Sequence, residues 1–289
     1  MEVLELVKDK EQAAVNVAVK EQVLEQQSIA EQALDQPKEN GKREELAILL
    51  GKSQEQLERE FIDRNVSEFL SHAFKAAVGS DAMVDGLKCT LNRVKEWSLG
   101  GAVLSTVYLP NCAKILKKRD GKGVKVGAII DFPFGEGTVK SKINQVKACN
   151  KAKVDFVIMT LPSILLNAEE GKDLKKQVKK FAGAFKKEKS VAVNFSDLRL
   201  ESLSGLNKIM TKKKINSLTL ILAEGDSEDL AEKIIAIKSR IGEKSIDVLA
   251  PVSGVEQVTE LVKLGVDKIF TPNAEELAKS VIDAFEING

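Results

Sequence analysis

The chain has one histidine, one tryptophan, one tyrosine and three cysteines among 289 residues. Cys89, Cys112 and Cys149 form no CxxC pair. An odd count with that spacing fits a reducing compartment, and neither a disulfide frame nor a structural zinc site. His72 is the sole histidine, so no Cys/His cluster is on offer to a metal. Aromatics are 4%, too few for a platform that stacks single-stranded nucleic acid. No apolar run nears the roughly 20 residues that span a bilayer. The N-terminus, MEVLELVKDKE, lacks the basic and apolar regions of a secretory signal. Charge is balanced, with 44 basic and 43 acidic residues giving +1. Together these absences imply a cytoplasmic protein with no membrane span, no specific nucleic-acid partner, no metal and no cofactor.

What is present is a hydrophobic fraction of 43%, enough for a substantial core. Residues 1–65 read as an N-terminal helical extension. Val15, Val19 and Val23 lie at helical spacing, Pro37 and Asn40-Gly41 interrupt, and Ser53-x-x-Gln56 is a capping box. Residues 66–289 read differently, as repeated strand–helix units. Strands are expected near 71–77, 102–108, 124–131, 154–160, 190–194, 217–222, 246–250 and 266–270. Helices such as Leu174 to Phe185 and Asp229 to Ile241 fall between them. Eight alternating units predict a closed TIM (β/α)8 barrel, with a doubly wound open sheet as the alternative. No GxGxxG follows the first strand, which weakens a dinucleotide-binding version of that sheet.

In such a barrel the loops after the strands form the top face, where active sites lie. The segments expected there hold Asp131, Glu136, Asp197, Glu201, Glu224, Asp226, Glu275 and Glu276, with Arg199 as their only base. The segments before the strands are rich in lysine, as at Lys151, Lys153, Lys186, Lys187 and Lys212 to Lys214. Helix dipoles favour this arrangement. A basic bottom face also suits an acidic protein partner. An acidic top suits a sugar phosphate poorly.

The stretch VKVGAIIDFPFGEGT, followed by KVDFVIMTLPS, carries strand, Pro–Gly loop, helix and strand in succession. It resembles the deoxyribose-phosphate aldolase family, class I aldolases built on TIM barrels. The resemblance extends weakly over Phe69 to Phe285. It implies a Schiff-base lysine on the sixth strand, which a second positive group would activate. Aligning Gly225 with that motif's glycine puts Ile221 at the lysine position. Ala250 and Ser190 stand where the family has two further lysines. Asp155, in VDFVIM, matches the proton-relay aspartate. Gly225, Ser253, Gly254 and Asn273 match the substrate and phosphate turns, and Ser71-His72-Ala73 stands where the family has Asp-His-Thr.

The resemblance therefore implies an aldolase-like protein, catalytically impaired and acting through protein binding. Its alternative is an active aldolase that cleaves 2-deoxyribose 5-phosphate to glyceraldehyde 3-phosphate and acetaldehyde through another lysine. A sugar-phosphate ligand and a homodimer are further expectations of the resemblance. A lysine facing into the barrel would favour the aldolase, and an apolar interior the binding protein.

Overall fold

A computed structural model describes residues 66–287 apart from 68, 79–85, 111–123, 168–170, 224–225 and 227–228. The expected extension, residues 1–65, lies outside the described residues. Eight strands form: β1 Ala73–Ala77, β2 Gly101–Ser105, β3 Lys125–Ile130, β4 Phe156–Thr160, β5 Glu188–Asn194, β6 Ser217–Ile221, β7 Ser245–Leu249 and β8 Val266–Thr271. All neighbours are parallel, and β8 returns to β1 with Ala73 opposite Ile269. That pairing closes the barrel and removes the open-sheet alternative. The described helices are α1 Gly86–Glu96, α2 Val139–Ala152, α3 Ser163–Leu166, α4 Lys172–Ala184, α5 Ser202–Lys212, α6 Leu230–Ile241, α7 Val255–Lys263 and α8 Ala274–Ile287. The second strand is shorter than expected, because the chain turns into a 3-10 helix at Thr106–Tyr108.

Alternation along each strand builds two cores. Val126, Ala128, Val157, Met159, Leu218 and Leu220 face the helices. Phe74, Val103, Ile129, Phe156, Ile158, Ile221, Leu249 and Phe270 fill the interior. Strands buried on both faces read as near-continuous apolar runs, which is why they were legible.

The interior is plugged by three rings. Phe74 lies 5.2 Å from Phe270 and 6.0 Å from Phe156, and Phe156 lies 6.0 Å from Phe270. Glycine makes the space they occupy. A Cβ on Gly127 of β3 would stand 2.1 Å from the Phe156 ring, and one on Gly101 of β2 would stand 2.8 Å from the Phe74 ring.

The β3–α2–β4 unit sets the site. Thr138 caps α2 by accepting from the Ser141 amide at 3.2 Å. Val146, Cys149 and Ala152 bury one helix face. The helix stops at Lys153, which is left-handed at φ 60.

Replacing Phe156 by alanine opens a cavity among three mutually supporting rings. We expect Phe156→Ala to lose about 3–5 kcal/mol of stability, read as a lower urea midpoint at an unchanged slope.

Candidate functional site

The site a TIM barrel normally uses is the mouth at the strand C-termini. Among the described residues its inward side chains are Ser105 on β2, Thr160 on β4, Asn194 on β5, Ile221 on β6 and Leu249 on β7, by the alternation described above. Ile221 is 8% exposed. Phe132, from the loop after β3, and Val78 pack on the same inner cluster. The Thr160 hydroxyl is buried without a hydrogen-bond partner. Among the described residues the mouth is thus aliphatic and aromatic, with two hydroxyls and an amide as its inward polar groups.

Four lysines lie on the described strands: Lys75, Lys125, Lys189 and Lys268. Lys75 faces outward, donating to the Pro272 carbonyl at 2.6 Å and pairing with Glu275 at 3.7 Å. Lys125 opens β3 and is exposed. Lys189 shares the outward face of β5 with Val191. Lys125 shares the inward parity of Gly127 and Ile129 at the bottom opening, and Lys268 lies on the inward face of β8 beneath Phe270, with its ammonium 5.7 Å from the Phe156 ring centre.

The loop after β3 is held by a lysine from below. Lys142 of α2 is fully buried. Its ammonium donates to Gly135 O at 2.6 Å, Gln177 Oε1 at 2.9 Å and Thr160 O at 3.1 Å, and lies 3.4 Å from Asp131. Burial lowers its pKa below the usual lysine value, although the charge and hydrogen bond of Asp131 pull upward. Asp131 in turn accepts from the Gly137 amide at 2.6 Å. Gln145 ties this loop to the preceding one, accepting from Thr106 at 2.6 Å and from the Asp131 amide at 3.1 Å. Gly135 turns at φ 70 where a Cβ would meet Thr160 O at 2.6 Å. A shallow cleft of about 450 Å³ lies beside it, lined by Thr106, Thr138, Lys140, Ser141, Asn144, Gln145 and Ala148.

Asp155 is not in the mouth. It precedes β4 at the bottom, with its amide donating to Val126 O at 2.7 Å and its carboxylate accepting from Val126 N at 2.9 Å. Lys187 lies 3.8 Å from it. Phe156, one residue on, is the inward side chain. A one-residue change of parity reverses a strand's faces, so the expected interior carboxylate is a rim carboxylate with partners.

Ser253 and Gly254 follow β7, and Asn273 follows β8, on the same rim. Asn273 Nδ2 donates to Pro251 O at 3.2 Å. The Ser253 and Gly254 amides both face Gln257 Oε1 at 3.4 Å. The Asn273 amide donates to Thr271 Oγ1 at 3.1 Å. The donors expected to hold a phosphate thus have partners within the chain. Nearby, burial works against the Glu275 charge, but Arg93 at 2.6 Å and Lys75 outweigh it and keep its pKa below normal. Gly225 lies outside the described residues. Ala250 packs in the outer core rather than facing inward. His72 sits at the bottom, its Nδ1 2.9 Å from Asp267 O.

The lower interior holds a polar chain that the sequence reading missed. Ser190 contacts Thr219 Oγ1 at 2.8 Å and donates to Ser217 O at 3.0 Å. Ser217 donates to Asp247 Oδ2, and Lys268 pairs with Glu188. Asp247 is 2% exposed, and its Oδ1 has no hydrogen-bond partner. Burial raises its pKa to about 6, against the opposing Lys268 charge and the Ser217 hydrogen bond. The available signal was a charged residue between apolar ones in SIDVL, a pattern that Asp155 in VDFVIM shares. The pattern does not tell parity. Lys142 gave no signal, because a lysine among lysines reads as a solvated helix face.

The two barrel faces carry the expected charge. Among the described residues of the segments after strands, Arg199 is the one base. At the bottom, Lys151, Lys153, Lys186, Lys187, Lys212 and Lys214 are exposed, and Asp155, Glu188 and Asp267 offset part of their charge.

Two outcomes follow. The folded pKa of Asp247 exceeds its unfolded value of 3.8, so the native state binds the proton more tightly. The resulting stability is complete below about pH 4 and is lost as pH rises through about 6. Relative to Asp247→Asn, the wild type should lose about 3 kcal/mol between those limits, measured by denaturation across pH. Lys142→Met leaves a partly buried carboxylate, a buried amide oxygen and two carbonyls short of a donor. It should cost about 3–5 kcal/mol by the same measurement.

No family model matches the sequence, and no curated protein does. Solved structures do match the fold. An aldolase named QR15 superposes with a TM-score of 0.66 at 15% identity, covering 76% of this chain and 99% of its own. A tetrameric deoxyribose-phosphate aldolase from Aeropyrum pernix gives 0.60 at 16% identity, covering 74% and 91%. N-acetylneuraminate lyase from Mycoplasma synoviae gives 0.55 at 14% identity, covering 76% of each chain. At these identities the likeness is one of fold, and this chain shares the closed eight-stranded parallel barrel of the deoxyribose-phosphate aldolases.

Proposed function

We propose that this chain is a deoxyribose-phosphate-aldolase-like barrel that has given up Schiff-base chemistry at the family's positions and acts by binding another protein. The observation that carries this is Ile221, a buried aliphatic at the C-terminal end of β6, where the resemblance puts the lysine nucleophile. Around it stand Leu249, Ile158 and Phe132, and no described strand lysine shares that upper layer. A Schiff base needs a neutral amine, and the proton moves that follow need an acid–base group. Asp155, the residue matched to that role, is at the other end of the barrel.

Two features support binding. The described large apolar side chains left exposed are Val107 at 66%, Phe134 at 63% and Ile164 at 80%. They occupy the loops after β2, β3 and β4, three successive strands of one rim. Exposed apolar groups gathered in one region mark interaction sites more often than scattered ones do. The lysine-rich bottom face fits an acidic protein partner. The buried free thiol of Cys149, its pKa pushed up to about 12 by burial, suits a reducing, cytoplasmic setting.

The test is borohydride trapping with 2-deoxyribose 5-phosphate or acetaldehyde, followed by intact mass. We expect no adduct on the folded chain. A stable adduct on one lysine would overturn the proposal in favour of an active class I aldolase. For the binding surface, retention on immobilised polyglutamate should fall when Lys186, Lys212 and Lys214 are each changed to glutamate. Unchanged retention would remove the bottom face from the reading.

A further inference from the structure

The lower barrel interior holds one buried acid, one lysine, and a second acid that holds that lysine. We propose that Lys268 exchanges between Glu188 and Asp247 as Asp247 releases and regains a proton, so that the barrel base carries a pH-operated latch. The argument stands on geometry and is independent of any aldolase chemistry.

Asp247 and Lys268 are register partners across β7 and β8. Both face inward, since Ile246, Val248 and Ile269 lie in the outer core. The lysine is therefore the same-face neighbour of the acid on the next strand. At present its ammonium is with Glu188, the register partner of Phe156 at the start of β5. Asp247 has one oxygen on Ser217 and one with no hydrogen-bond partner. That is tolerable for a neutral acid. A carboxylate in the same enclosure needs a countercharge. The other charged groups facing Asp247 are Asp267 on β8 and Glu188 on β5, and both repel it. From β6, Ser217 and Thr219 bring only hydroxyls. Lys268 is the cation that faces Asp247 among the described residues.

The competitor for the lysine is weak. Glu188 is half-exposed, so water replaces the lysine there, and exposed ion pairs contribute little. Burial of Asp247 raises its pKa to about 6, which puts the exchange within the physiological range. Above that midpoint Lys268 turns inward, and a free Glu188 carboxylate joins Lys187 and Lys189 at the bottom. Below it the lysine returns to Glu188 and the bottom face becomes more positive.

The experiment is a carboxyl carbon NMR titration of the full chain, with Asp247 and Glu188 assigned through Asp247→Asn and Glu188→Gln. We expect Asp247 to titrate near pH 6, and Glu188 to show an inflection at the same midpoint. Asp247→Asn should abolish that inflection. Glu188→Gln, a tolerant rim position, frees the lysine and should lower the Asp247 midpoint by about one pH unit. Lys268→Met should raise it. A Glu188 signal flat through the Asp247 midpoint would overturn the latch. So would an Asp247 midpoint that ignores Glu188→Gln.

Discussion

A closed barrel has no solvent inside, so every inward side chain must find its volume and its partners among seven other strands. In this chain that constraint is met by Phe74, Phe156 and Phe270, whose rings touch one another inside the sheet. Their bulk explains the glycines at positions 101 and 127, which leave room where any Cβ would collide. It also sets levels for the remaining inward residues. Ile221 and Leu249 share the ladder level of Phe270, while Thr219, Asp247 and Lys268 lie one inward step below. On β6, β7 and β8 the apolar groups occupy the upper level and the polar groups the lower one. This is the reverse of what sugar-phosphate chemistry at the upper mouth would need.

The same constraint shapes the charge on the rim. Four cations reach the upper loops from below: Lys75 to Pro272 O, Arg93 to Glu275, Lys142 to Gly135 O and Thr160 O, and Lys233 to Phe195 O. Each ties down a loop carbonyl or carboxylate. Lys233 also lies 4.2 Å above the Phe195 ring. These contacts leave the rim acidic in outline and rigid in construction, with positive charge spent on loop carbonyls and unavailable to an anion. The described apolar residues that stay outside, Val107, Phe134 and Ile164, sit beside Thr106, Gly135 and Ser163, which bond to Gln145, Lys142 and Asp197.

The barrel was legible because its signal is periodic. Apolar runs of five to seven residues recur at nearly even spacing, and Thr138, Lys153 and Gly171 punctuate the helices between them. Boundaries were less so, since the turn after Ser105 depends on where the chain must bend. The site was legible only in part. Ile221 lies at the buried end of β6, and Ser253 and Asn273 follow the ends of β7 and β8. Asp155 and Asp247 show the limit. Each lies between apolar neighbours, and nothing local separates a residue just before a strand from one at its third position. The first looks out to the rim, the second into the core. The difference is one of parity, which barrel closure fixes and composition does not record.

That parity bears on how far this chain stands from an aldolase. A buried amine at the upper level would need a second cation to lower its pKa and an acid to move protons, all on inward positions. The inward titratable groups on the described strands are Lys125, Glu188, Asp247 and Lys268. All four lie at or below the level of Asp247, near the opposite opening. Among the described residues the mouth offers Ser105, Thr160, whose hydroxyl lacks a partner, and the amide of Asn194. None of them donates or accepts a proton readily near neutral pH. The titratable groups of the interior stand at the end of the barrel that enzymes of this architecture leave inert, and they are wired there into a network of their own.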